Sequence, residues 1–274
     1  MNGGRLAIFG GALVALQLGL LWPSAAGAIP ASGPHETVEM SSSTTRPSAS
    51  AALGYAARYH SASDPSGDPP ALRRLVIELP AGTRIDTSVP GRCTASDSQI
   101  MFQGESACPS SARVGSGQAT VKQFGLASAT YDTVIYNAEN QMLELVKSGD
   151  TVLGVVHTYI HGTTLDGPIP TCLTGGQPPN GCPFDELTLL SNHLEVRPVS
   201  AGHGAARRNY GTTPPTCPTS GRWQARVTLY YADGSVDKVW PQAPCSQPRR
   251  GRKKSSRRRR HRRHHADDGR ESRS

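Results

Sequence analysis

Hydrophobic and polar positions change their rhythm several times along this chain. Residues 6–22 are almost continuously apolar, and residues 29–70 show little apolar periodicity. From residue 75 onward the pattern becomes short apolar runs separated by Gly, Pro, Asn and Asp, which is the signature of strands and turns. Residues 75–79 (LVIEL) are closed by Pro80-Ala81-Gly82 and predict a strand. Residues 99–103 (QIMFQ) predict a second, and residues 119–123 (ATVKQ), after a Gly115-Ser116-Gly117 turn, a third. Residues 131–137 and 141–147 read as a hairpin around Ala138-Glu139-Asn140. Residues 151–161 (TVLGVVHTYIH) form the longest β-branched run. A Pro- and Gly-laden loop at 162–181, a strand at 186–196 and a polar loop at 197–216 follow.

The clearest alternation comes late. Trp223, Ala225, Val227, Leu229 and Tyr231 fall on one face, with Arg222, Gln224, Arg226 and Thr228 on the other. That pattern predicts a half-buried antiparallel strand. Asp233-Gly234 is a strong hairpin turn, and residues 235–240 return beside the strand. Many short strands with frequent turns and no long helix predict an all-β fold, specifically an antiparallel β-sandwich.

The remaining stretches set the domain organisation. Residues 1–28 read as a signal peptide: Arg5 leads, the apolar stretch follows, Pro23 breaks it, and Ala26-Gly27-Ala28 offers a small-residue cleavage site. Residues 29–70, rich in Ser, Ala, Pro, Gly and Thr, read as a disordered linker. Within them residues 51–58 (AALGYAAR) are enough for a transient helical turn only. Residues 71–246 are the expected sandwich and residues 247–274 a disordered basic tail. No other stretch is long and apolar enough for a spanning helix, so no transmembrane segment is expected once the signal is removed.

Aromatic residues make up only 5% of the chain, which limits what a hydrophobic core can supply. Six cysteines, none in a C-x-x-C pair, fit an exported protein with a disulfide framework rather than reactive thiols. Local pairing gives Cys93–Cys108, Cys172–Cys182 and Cys217–Cys245. Closing the first loop, of about 15 residues, stabilises by about 3 kcal/mol in the chain-entropy picture.

Leu79-Pro80-Ala81-Gly82-Thr83, Cys93, Gly104, Ala107-Cys108-Pro109 and Val114-Gly115-Ser116-Gly117 form a pattern. It resembles one carried by uncharacterised secreted proteins of high-GC Gram-positive bacteria. Their pattern is L/F-P-x-G-T, a Cys, then G-x-x-x-C-P-x-x-S-x-V-G-x-G, and Ala112 stands here where Ser is usual. A weaker echo lies in residues 217–223 (CPTSGRW) and Pro244-Cys245. The resemblance implies secretion and a β-rich fold and carries no catalytic assignment.

Few residues offer chemistry. His157 and His161 form H-x-x-x-H, but position 158 is Thr and the segment reads as strand. On a strand, i and i+4 stand about 13 Å apart, too far for one tetrahedral ion with bonds of about 2 Å. His193 is a third candidate by type alone. No G-x-S-x-G elbow, phosphate-binding loop or dinucleotide glycine pattern is present, and the neighbouring carboxylates Asp185 and Glu186 point to opposite strand faces. No catalytic, metal or cofactor residue is therefore expected.

The strongest chemical feature is basic. The net charge is +8, yet residues 249–274 hold 13 Lys and Arg against 3 Asp and Glu, leaving the rest of the chain at −2. Arg249, Arg250, Arg252, Lys253, Lys254, Arg257, Arg258, Arg259, Arg260, Arg262 and Arg263 lie within seventeen positions without one aromatic. Such a run attracts phosphates without reading sequence and cannot stack bases, so a specific nucleic acid is not the expected partner. Anionic surface polymers or lipid head groups are. The expectation is a secreted, non-enzymatic β-sandwich tethered to an anionic cell surface. The alternatives are a secreted hydrolase or metal enzyme using His157, His161 or His193, and a carbohydrate- or protein-binding module with contacts in the 162–181 loop.

Overall fold

The computed structural model describes residues 27–123, 127–173 and 187–246. The first strands are β1 (Ala31–Ser32), β2 (Glu36–Ser42), β3 (Leu53–Tyr59), β4 (Leu72–Glu78) and the short β5 (Arg84–Ile85), after which comes helix α1 (Asp97–Gln103). Next are β6 (Arg113–Lys122), β7 (Ala129–Ala138), β8 (Gln141–Ser148), β9 (Thr151–His161) and β10 (Thr164–Pro168). β11 (Thr188–Val196) precedes β12 (Ser200–Ala201), β13 (Arg208–Asn209) and β14 (Gly211–Thr212). The last four are β15 (Arg222–Gln224), β16 (Arg226–Tyr231), β17 (Val236–Val239) and β18 (Gln242–Pro244).

Twelve strands form one sheet in the order β1-β2-β3-β11-β6-β7-β8-β9-β10-β4-β16-β17. Each described pairing is antiparallel. The sheet folds over until its ends meet: Ile29, just before β1, and Gln242 of β18 exchange backbone bonds of 2.8 and 3.0 Å. The sandwich is thus one continuous sheet whose halves share a core. Val38 and Tyr55 from one end, Ile135 and Met142 from the middle, and Val227 and Val239 from the other end belong to the same buried cluster.

The middle of the sheet is covered on its outer face too. Ile100 of α1 and the Cys93–Cys108 disulfide pack on Val134, Tyr136, Leu143, Leu145 and Val152. Strands covered on both sides read as near-continuous apolar runs, as residues 134–136 and, but for Glu144, residues 142–146 do. Glu105, just beyond α1, accepts from Tyr136 Oη at 3.0 Å and pairs with Lys147, which holds its carboxyl below the usual carboxylate range. Cys93–Cys108 spans Cα atoms 4.8 Å apart, and Cys217–Cys245 spans 5.6 Å beside the buried Trp223. Cys172 is also disulfide-bonded; Cys182, its expected partner, lies outside the described residues.

Four sequence expectations are corrected. The stretch 29–70 is not a linker: β1, β2 and β3 belong to the main sheet, and β2 pairs with β3 along seven residues. Its period of two is hidden because Val38, Tyr55, Ala57 and Tyr59 are flanked by Thr37, Glu39, Gly54, Ala56 and Arg58. Residues 97–103 are helix, not strand. Ser96 and Gln99 form a reciprocal capping box, which satisfies two amides at the helix start. Gly115 and Gly117 lie inside β6 rather than in a turn. A Cβ at Gly117 would overlap the His193 carbonyl of the adjacent β11, so glycine there permits close strand approach. The 162–181 loop contributes β10, which pairs with both β9 and β4. The late alternation holds: Trp223, Ala225, Val227, Leu229 and Tyr231 are all buried, though Thr228 on the other face is buried as well. Residues 1–26 of the expected signal segment 1–28 and the tail 247–274 lie outside the described residues.

Two stability measurements test this account. Replacing Cys93 and Cys108 together by serine should lower the unfolding free energy in urea by about 3 kcal/mol. Gly117→Ala should cost about 2 kcal/mol, since the strands must move apart to admit one methyl.

Candidate functional site

Two interior sites and one surface cleft gather polar side chains. The first sits where the ends of the sheet meet. The turn between β1 and β2 is closed by a bond from Gly33 N to Glu36 O of 2.9 Å. It presents His35 and Glu36 toward β16 and β17. Tyr231 Oη donates to Glu36 Oε2 at 2.7 Å, and His35 Nδ1 lies 2.6 Å from Asp237 Oδ2. The His35 and Tyr231 rings are 4.9 Å apart. Behind them the Tyr55 and Tyr59 hydroxyls are 3.2 Å apart, and Tyr59 donates to Asn192 Oδ1 at 3.2 Å.

Glu36 is fully buried. Burial pushes its carboxyl up to about 7; the Tyr231 bond pulls it down, and the Asp237 charge adds to the rise. One ligand atom each from His35, Glu36 and Asp237 lies within 4.8 Å of the others, a set of the kind that holds metal ions. Their present bonds engage His35 Nδ1 and one oxygen of each carboxyl. Glu36 Oε1, which has no partner, abuts Gly33, where even a Cβ would overlap it. The arrangement is a closure of the sheet ends with one proton held at Glu36.

The second site is an apolar cavity of about 100 Å³ inside the folded sheet. Tyr55, Leu75, Ile77, Leu165 and Leu194 are among its walls, with Glu144, Thr158 and Tyr210 among its polar groups. Glu144 lies on β8 between Met142 and Val146, both core-facing, and is flanked across the sheet by Ile135 and Val156. It is deep in the body yet keeps some accessible surface, because that surface faces the cavity. Burial pushes its carboxyl up to about 7, opposed in part by the nearby Thr133 hydroxyl. Tyr210 is fully buried and its hydroxyl has no hydrogen-bond partner.

The cleft, of about 290 Å³, lies between α1 and β9 and includes Arg92, Asp97, Glu139, Gln141 and His157. His157 Nε2 is 3.1 Å from both Asp97 oxygens, and its Nδ1 is 3.0 Å from Gln141 Oε1. The other two predicted histidines do not join it. His161 lies exposed near the far end of β9, about 13 Å along the strand. His193 is on β11, with β6, β7 and β8 between, about 19 Å along the sheet. The three are not one site. The basic residues 249–263, Asp185 and Glu186 lie outside the described residues.

Sequence reasoning passed over His35, Glu36, Glu144, Tyr210 and Asp237. Glu144 carried a signal: it sits in QMLELVK, where both strand phases are apolar, so a carboxyl there is buried whichever face it takes. Comparison with family models, curated proteins and solved structures gives no match to this chain.

The raised carboxyls set a pH dependence. The native state holds the Glu36 proton up to about pH 7, whereas an unfolded carboxyl releases it near 4.5. Stability from neutral Glu36 is therefore full below about pH 4.5 and is lost as pH rises through 7. The loss is on the order of 3 kcal/mol for one such group. The groups facing Glu36 are His35, Asp237, Tyr231, Tyr55 and Tyr59. Urea unfolding should show higher stability at pH 5 than at pH 8, and Glu36→Gln should flatten about half of that decline, leaving the Glu144 share.

Proposed function

We propose that this chain is a secreted, non-enzymatic β-sandwich protein whose Arg-rich segment 249–263 holds it at an anionic cell-surface layer. The observation that carries the reading is the segregation of charge, +10 from Arg249 onward against −2 for the remainder. The described body ends at an anchored point: Cys245 is stapled to Cys217, and Ser246 N donates to Thr45 O at 2.8 Å. A basic segment leaving such a point neutralises phosphates in wall polymers or lipid head groups without a shaped pocket. Export is supported by cysteines that are all bonded among the described residues, since disulfides persist in oxidising compartments. The resemblance of residues 79–117 to secreted bacterial proteins points the same way.

The test compares the full chain with one ending at Ser246. Bound to vesicles containing anionic lipid or to isolated cell walls, the full chain should be retained at physiological salt and released as salt rises. The truncated chain should wash off. Equal retention of the two would overturn the reading.

A further inference from the structure

The walls of the cavity are mainly apolar, and Tyr210, Glu144 and Thr158 bring polar side chains to it from separate elements. Tyr210, just before β14, is fully buried with its hydroxyl unbonded, although buried hydroxyls ordinarily find a partner. Glu144 lines the same space from β8. A volume of about 100 Å³ is smaller than the 150 Å³ engineered apolar cavity that takes up benzene, which fits about four to six non-hydrogen atoms.

We propose that this cavity binds a small apolar compound carrying one hydrogen-bond-accepting oxygen, such as a short ketone or ester, with Tyr210 and Glu144 as donors to that oxygen. A phenol and a protonated carboxyl in an apolar site are the donor pair that ketosteroid isomerase directs at a carbonyl oxygen. Glu144 is a donor only while protonated, which burial maintains up to about pH 7. The other titratable groups lining the cavity are the Tyr55 and Tyr210 phenols, and burial drives both further above the neutral range. Glu144 is thus the lining group that titrates near neutrality. The inference concerns the body alone and does not rest on the tail, so surface retention and cavity binding fail or hold separately.

The sequence provides its own reporters. Met40 and Met142 line the cavity, whereas Met101 is on α1, outside it. In full-length protein labelled with ¹³C at the methionine methyls, 2-butanone should shift the Met40 and Met142 signals and leave Met101 unmoved. Its isostere 2-methyl-1-butene, which lacks the oxygen, should bind about 5- to 10-fold more weakly, the size of one or two buried hydrogen bonds. Tyr210→Phe should reduce that preference about 5-fold without lowering stability, because the hydroxyl it removes makes no bond in the free protein. The preference should shrink as pH rises from 6 to 8, and Glu144→Gln, which keeps a donor, should abolish the pH dependence while retaining it. Absence of any Met40 or Met142 shift at millimolar 2-butanone, as expected if the site holds only water, would overturn the proposal. So would equal binding of the two compounds by the parent chain, or a preference that survives both variants unchanged in size and pH profile.

Discussion

The outer strands of an open sheet carry amides and carbonyls that lack partners. In this protein that problem falls on β1, β2 and β17, the ends of a twelve-strand sheet. Folding the sheet over brings these ends together through Ile29 and Gln242, and through the Glu36–Tyr231 and His35–Asp237 pairs. A slip of one residue would exchange the faces of a strand and expose its buried side, and directional polar pairs add a further penalty against it. Buried polar pairs give little net stability once desolvation is counted, so their contribution here is register. Glu36 tolerates burial because it holds its proton, and glycine stands at position 33 because a side chain there would displace that carboxyl.

What the closed sheet encloses follows from composition. With aromatics at 5%, the core is filled mainly by Val, Leu, Ile and Ala. Gly54, Gly167 and Gly211 line the cavity and contribute no side chain to it. The remaining volume lies against Glu144, a group whose burial costs least when a donor or acceptor can be supplied to it. Rigidity is restored from outside by the disulfide-tied α1 layer over β7, β8 and β9. Tyr55 joins the two interior sites: it lines the cavity, and its phenol is driven upward first by burial and then by Glu36 of the adjacent β2.

Strands rich in Val, Ile and Tyr were readable because their burial shows in their composition. Residues 131–137, 141–147 and 151–161 coincide closely with β7, β8 and β9, and Asp233-Gly234 does turn the chain between β16 and β17. β2 and β3 were not readable, because ETVEMSS and LGYAARY look like solvated chain until a partner covers them. The helix at 97–103 was missed for the opposite reason: Ile, Met and Phe in a five-residue window mimic a strand, and the deciding Ser96–Gln99 cap lies at its edge. The seam was illegible in principle. His35 and Asp237 are 202 positions apart, and only the return of β17 to β2 makes them neighbours.

The electrostatics of the body bear on where a surface attraction can originate. Among the described residues many exposed charges are already matched: Arg74 with Asp166 and Arg208 with Asp86 at 2.6 Å, Lys122 with Asp68 at 2.5 Å, and Arg226 with Glu78. Each such pair stabilises little, at most about 1 kcal/mol, but it cancels its own field over a short distance. Beyond a Debye length of about 8 Å only unmatched charge acts. The Arg-rich segment holds eleven Lys and Arg within seventeen positions and no acid, so it is the part of the chain whose charge reaches a surface before contact. If the proposed surface attraction holds, its charge resides in sequence separate from the folded body, so a change in either can leave the other intact.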